Sequence, residues 1–131
     1  MVMSPVILST LTEGNIVRGF AGIPSDGPVV YVGIHMLLGM DVFPLVTHLL
    51  EQKGVHLRGI AHPVMFMNWK HGNLPDLPFS DDFALMGAVP VSGKNFFRLL
   101  STKSHILLYP GGIREALHRK VLISVSLIVL F

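Results

Sequence analysis

Two runs of consecutive apolar residues, Val29–Ile34 and Ile106–Tyr109, each close abruptly on a polar or glycine-rich turn that leads into a helical pattern. Continuous, β-branched runs of this length, bounded by turn residues, are how strands buried on both faces read. Between them, Asp41–Gln52 has helical periodicity, with Phe43, Val46, Leu49 and Leu50 on one stripe, and Gly54 stops it. Val55–Ile60 follows as a further strand. A strand–helix–strand unit implies parallel strands joined by a right-handed crossover. The expected fold class is α/β: a mixed sheet with helices on both faces.

The rest of the chain fits around that unit. Ile16–Ala21 reads as an edge strand, and Ile23-Pro24-Ser25-Asp26-Gly27-Pro28 as a turn. Ser80-Asp81-Asp82 caps a short helix reaching Met86, and Ser92 caps a helix over Lys94–Thr102 with Phe96, Leu99 and Leu100 inward. Gly87–Val91 is a short extended piece, and Ile113–His118 opens a last helix. His62–Pro78 is apolar but broken by Pro63, Gly72, Pro75 and Pro78, so it lies under a lid or against a lipid or acyl chain. Val121–Phe131 carries only Val, Leu, Ile, Ser and Phe. It either completes the sheet as a strand or is foreign to the fold; the expected division is a partial domain over 1–120 and a separate apolar segment over 121–131.

Composition removes several classes of function. The 131 residues are half apolar and 14% charged, which excludes a disordered chain. The basic pI of about 9.2 comes from a net charge of only +2, without a basic run longer than three positions, so nucleic acid is not the expected partner. No cysteine means no disulfide, thiolate zinc site or cysteine nucleophile. No apolar stretch approaches the roughly 20 residues of a spanning helix. The first residues have neither the basic start of a signal peptide nor the Ser/Arg-rich character of a transit peptide.

Chemistry is expected where strands end, because the carboxyl ends of strands form the crevice of an open α/β sheet. His35 closes the first buried run and has no polar neighbour before Asp41. It reads either as a general base taking a proton from a hydroxyl, with Asp41 holding its other ring nitrogen, or as a structural histidine with Asp41 capping the helix. Tyr109-Pro110-Gly111-Gly112-Ile113-Arg114-Glu115 closes the last run. Gly111 and Gly112 let backbone approach a ligand, and Arg114 adds a fixed charge for an anion; the alternative is an ordinary turn with Arg114 on Glu115 or in solvent. His62, before Pro63, stands at a third strand end. The remaining histidines are scattered without metal-ligand spacing, and no Gly-x-Ser-x-Gly elbow supports a serine hydrolase.

Two blocks resemble the glycerolipid acyltransferase superfamily, in its monoacylglycerol/diacylglycerol acyltransferase-like branch. One is Pro28–Asp41; the other is Gly87-Ala88-Val89-Pro90-Val91-Ser92-Gly93-Lys94-Asn95 continuing through Leu107-Leu108-Tyr109-Pro110-Gly111-Gly112-Ile113-Arg114-Glu115-Ala116-Leu117. Strings beginning at Leu8, Ile16, His35 and Arg58 resemble its plant chloroplast members, the phytyl ester synthase-like acyltransferases. The resemblance covers about Ser4–Lys120. It implies transfer of a fatty acyl group from a thioester, on coenzyme A or acyl carrier protein, to a neutral lipid alcohol, diacylglycerol or phytol. His35 would be the base, Asp41 its partner, and Gly111, Gly112, Arg114 and His62 would bind substrate. No metal or other cofactor is implied. A chloroplast site is, at a plastoglobule or thylakoid surface, with peripheral attachment to a membrane or lipid droplet.

Two departures stand out. The superfamily spaces its histidine and aspartate by four residues, whereas Asp41 comes one position later. Gly111 follows Pro110 where phosphate-acceptor relatives carry a glutamate, which points to a neutral acceptor. The chain resembles the front part of an acyltransferase domain. The competing reading is a truncated, non-catalytic fragment that binds lipid or membrane.

Overall fold

A computed structural model describes residues 8–35, 42–66, 79–116 and 128–130. Their elements run β1 (Leu8–Thr10), β2 (Ile16–Arg18), β3 (Val29–Val32), α1 (Val42–Lys53), β4 (Leu57–Ala61), a 3₁₀ turn (Pro63–Phe66), α2 (Phe79–Leu85), β5 (Val89–Pro90), α3 (Gly93–Ser101), β6 (His105–Leu108), α4 (Gly112–Ala116) and β7 (Ile128–Leu130). The main sheet has the order β5-β4-β6-β3-β7. Its first four strands are parallel, and β7 runs antiparallel to β3, pairing Val30 with Leu130 and Val32 with Ile128. The α/β mixed sheet expected from the sequence is the fold observed.

β6 occupies the centre. Ile106 and Leu107 are both inaccessible, and they point to opposite faces because side chains alternate along a strand. Leu107 joins Val29, Tyr31 and Leu57 beneath Val42, Val46 and Leu49 of α1, with Phe20 and Ile23 closing the layer. Ile106 joins Val89 and Leu99, with Ile60, Phe96 and Leu100 packed on them. One helix thus covers each face. The parallel relation of β3 and β4 holds, but they are not neighbours: β6 lies between them. β3 is also less enclosed than expected, since Val30 and Val32 are only half-buried.

Local chemistry accounts for the helix ends. Ser92 accepts a hydrogen bond from Asn95 N at 3.1 Å and caps α3 as expected. α1 carries Pro44 in its first turn, where the missing N–H has no intrahelical partner to lose. Gly54, at φ +65°, ends it, with Gly54 N and Val55 N returning to Leu50 O and Leu49 O. The buried stripe of α1 is Val42, Val46 and Leu49, rotated from the expected one. Leu50 is half-exposed and Phe43 leans on Phe83 instead, at 5.7 Å between ring centres.

β2 pairs with β1 in a separate antiparallel hairpin that the sequence pattern had shown only as one edge strand. Buried Ser9 ties it down by accepting from Gly22 N at 2.9 Å. Met67–Pro78 lies outside the described residues, as does most of 121–131. No helix among the described residues is long and apolar enough to cross a membrane.

One buried polar pair crosses the sheet. The Tyr31 hydroxyl lies 3.0 Å from His105 Nδ1, and His105 Nε2 lies 3.0 Å from Ser25 O. A carbonyl only accepts, so Nε2 carries the proton, and Nδ1 of the neutral ring accepts from the phenol. Gly27 makes room for this: a Cβ there would collide with the Lys103 carbonyl oxygen. Burial pushes the Tyr31 pKa up to about 12 from 10.0.

Tyr31→Phe should therefore cost about 1–3 kcal/mol, because it leaves a buried His105 acceptor unpaired; urea unfolding at neutral pH measures it. The Tyr31 phenol also sets an alkaline limit. Its folded-state pKa is raised, so its contribution is intact below pH 10. The contribution falls as pH rises from about 10 to 12, where the unfolded chain ionises first. Tyr31→Phe should flatten that part of the stability–pH profile.

Candidate active site at the carboxyl edge of the sheet

Because β3, β4 and β6 are parallel, the segments that leave them emerge at one edge. His35 leaves β3, His62 leaves β4, and Tyr109–Glu115 leaves β6. The structure brings the first and third together. The His35 and Tyr109 rings stack nearly parallel, 3.9 Å between centres and 11° between planes. His35 N donates to Glu115 Oε2 at 3.1 Å. Nδ1 of His35 is shut off from solvent although the residue as a whole is half-buried. The phenol ring of Tyr109 in turn packs on the core layer beneath α1, so the imidazole rests on a surface continuous with the core.

The turn after β6 is built to bring the carboxylate back. Gly112, at φ +55°, takes the left-handed conformation that favours glycine, and its N–H bonds Tyr109 O at 3.0 Å. Gly111 has no side chain where one would meet Glu115: a Cβ would fall 2.6 Å from Glu115 Cβ and Cδ and 2.7 Å from Oε2. α4 then places Glu115 one turn beyond Gly111.

The remaining candidates stand differently. The N–H of Gly112, one of the expected substrate-binding residues, is already engaged within its own turn. Arg114 is exposed, and the partner of Glu115 is His35 rather than Arg114. His62 is exposed at the same edge, with Nδ1 accepting from Val64 N at 3.2 Å, so its ring caps the 3₁₀ turn. Asp41 lies outside the described residues. Tyr109 and Glu115 were missed as partners of His35. The usable signal was glutamate four residues after Gly111, one helical turn on.

Other described histidines serve the fold. His48 Nδ1 lies 2.7 Å from Pro44 O, and His56 Nε2 lies 2.9 Å from Met86 O. No cluster of His, Asp or Glu among the described residues suits a metal ion. A cleft of about 360 Å³ opens at the opposite edge, lined by Lys53, His56, Arg58 and Lys103. Lys53 and Lys103 sit at the carboxyl ends of α1 and α3, where cations oppose the helix dipole. Arg58 donates to Gly87 O at 2.9 Å. This cleft is distant from His35 in the topology.

No protein family profile matches the chain, and no solved structure does. Curated proteins do match. Phytyl ester synthase 2, chloroplastic, of Arabidopsis thaliana is 53% identical over 117 residues, 89% of this chain. Phytyl ester synthase 1, chloroplastic, of the same plant is 44% identical over 115 residues, 88% of this chain. The chain is homologous to these two synthases. It spans 16% of the length of each. Its similarity to chloroplast phytyl ester synthases accords with the resemblance read from the strings beginning at Leu8, Ile16, His35 and Arg58.

Replacing Tyr109 by Leu should keep the core contact but remove the aromatic face under His35. The expected cost is about 0.5–1.5 kcal/mol in urea unfolding. A loss of the upfield ring-current shift of the His35 ring protons should accompany it in NMR spectra.

Proposed function

We propose that this chain is part of an O-acyltransferase that moves a fatty acyl group from an acyl thioester to a neutral lipid alcohol, phytol or diacylglycerol. The observation that carries the reading is His35, seated on Tyr109 at the carboxyl edge of the sheet, in a chain homologous to phytyl ester synthases. His35 accepts the hydroxyl proton as the alcohol oxygen attacks the thioester carbonyl. The C–O bond forms, the tetrahedral intermediate collapses, and the C–S bond breaks. The proton held on the imidazole returns to the departing thiolate, so ester and free thiol leave a neutral base.

Arg114 is exposed at the same turn, where an anionic part of coenzyme A or acyl carrier protein would reach it. Asp41 remains a candidate partner for the imidazole. The chloroplast names of both relatives support a chloroplast location; within it, a plastoglobule or thylakoid surface is the setting this reading assigns. Exposed Leu85, Val91 and Phe97 are apolar surface suited to a lipid phase. They also favour the second reading, a fragment that binds lipid without turning it over.

The test is ester formation by the purified chain from a labelled acyl thioester, with phytol and diacylglycerol as separate acceptors. His35→Ala should lower the rate by about 10²- to 10⁴-fold while the thermal transition persists. Near-normal turnover by folded His35→Ala would overturn the base assignment. A folded wild-type chain that binds lipid vesicles but forms no ester would assign the second reading.

A further inference from the structure

We propose that Glu115 is the positioning residue for His35, holding it by the main chain rather than by the ring. The argument starts from the parallel ladder. Gly33 N donates to Leu108 O at 3.1 Å, the last bond between β3 and the chain of β6 among the described residues. Donors facing one neighbour recur every second residue, so the next belongs to His35. By then the β6 chain has turned away at Pro110, and no carbonyl of the ladder follows. Glu115 supplies the acceptor instead, with Oε2 3.1 Å from His35 N. A carboxylate in that role makes a charge-assisted bond, stronger than the amide–amide bond it replaces.

Gly111 belongs to the same device. The Glu115 side chain reaches back across the space that a Cβ on Gly111 would fill. Glycine at 111 and glutamate at 115 are therefore coupled: the first clears the path and the second uses it. With the main chain of His35 held and its ring laid on Tyr109, the imidazole is fixed from two sides. The importance of this for ester synthesis rests on the base reading above; the positioning itself does not.

The experiment compares the full chain with Glu115→Ala, Glu115→Gln and Gly111→Ala by NMR, followed by the ester assay. In Glu115→Ala the His35 amide proton should move upfield and exchange about 10- to 100-fold faster, the equivalent of losing a charge-assisted bond. The His35 ring protons should lose part of their Tyr109 ring-current shift. Glu115→Gln keeps an acceptor oxygen and should restore most of both signals. Gly111→Ala should reproduce Glu115→Ala with the glutamate still present. Unchanged Tyr31 and His105 signals show that the core has survived. In the assay, Glu115→Ala should lower kcat with little change in KM, and Glu115→Gln should recover it. An unchanged His35 amide in folded Glu115→Ala, or normal protection in Gly111→Ala, overturns the proposal. Full turnover by His35→Ala would remove the base reading alone, and the amide measurements would still decide the positioning.

Discussion

The parallel pairing of β6 with β3 on one side and β4 on the other is the interaction on which the rest depends. His105 is in register with both Val29 and Leu57, so one four-residue strand sets the alignment of two others. Its adjacent Ile106 and Leu107 anchor opposite core layers. Losing either side chain to Ala would remove contacts of a kind worth about 2–5 kcal/mol in buried positions. The same pairing has a chemical result. Strands that run the same way end at the same edge, and that is why segments 80 positions apart share one hydrogen bond at His35 and Glu115.

The candidate site is thus an extension of the sheet by other means. A backbone donor that has outrun its ladder is satisfied by a side chain, and a ring that follows it is supported by another ring. The opposite edge carries more positive charge and more open space, but Lys53 and Arg58 there are engaged in holding the carbonyls of neighbouring loops. Cavity and charge alone would draw attention to the other end of the strands.

Much of this was legible in local pattern. The strand at 29–32, the cap at Ser92, the stop at Gly54 and the inward face of α3 each depend on residues near one another in sequence. The insertion of β6 between β3 and β4 is a property of the whole sheet and left no local mark. Leu8–Thr10 was too short to announce a strand, and its stability comes from pairing and from Ser9. The stripe of α1 was misplaced because Phe43 and Leu50 are apolar without being central. At the site, His35 and the Pro110–Arg114 turn were visible as residue types. The bond joining them was not, because Glu115 was considered only as a partner for its neighbour Arg114.

Pro90 limits the sheet at its β5 border. Val91 N points inward to Ala61 O at 2.8 Å, so the alternate position, 90, faces outward. Proline there has no N–H to offer, and its carbonyl is already taken by Asn95 Nδ2 at 2.8 Å. Both halves of the outward pairing site at β5 are cancelled by residues of the same turn. At Pro90, β5 offers a neighbouring chain neither a donor nor a free acceptor, so the sheet is blunted there against recruitment of a further strand.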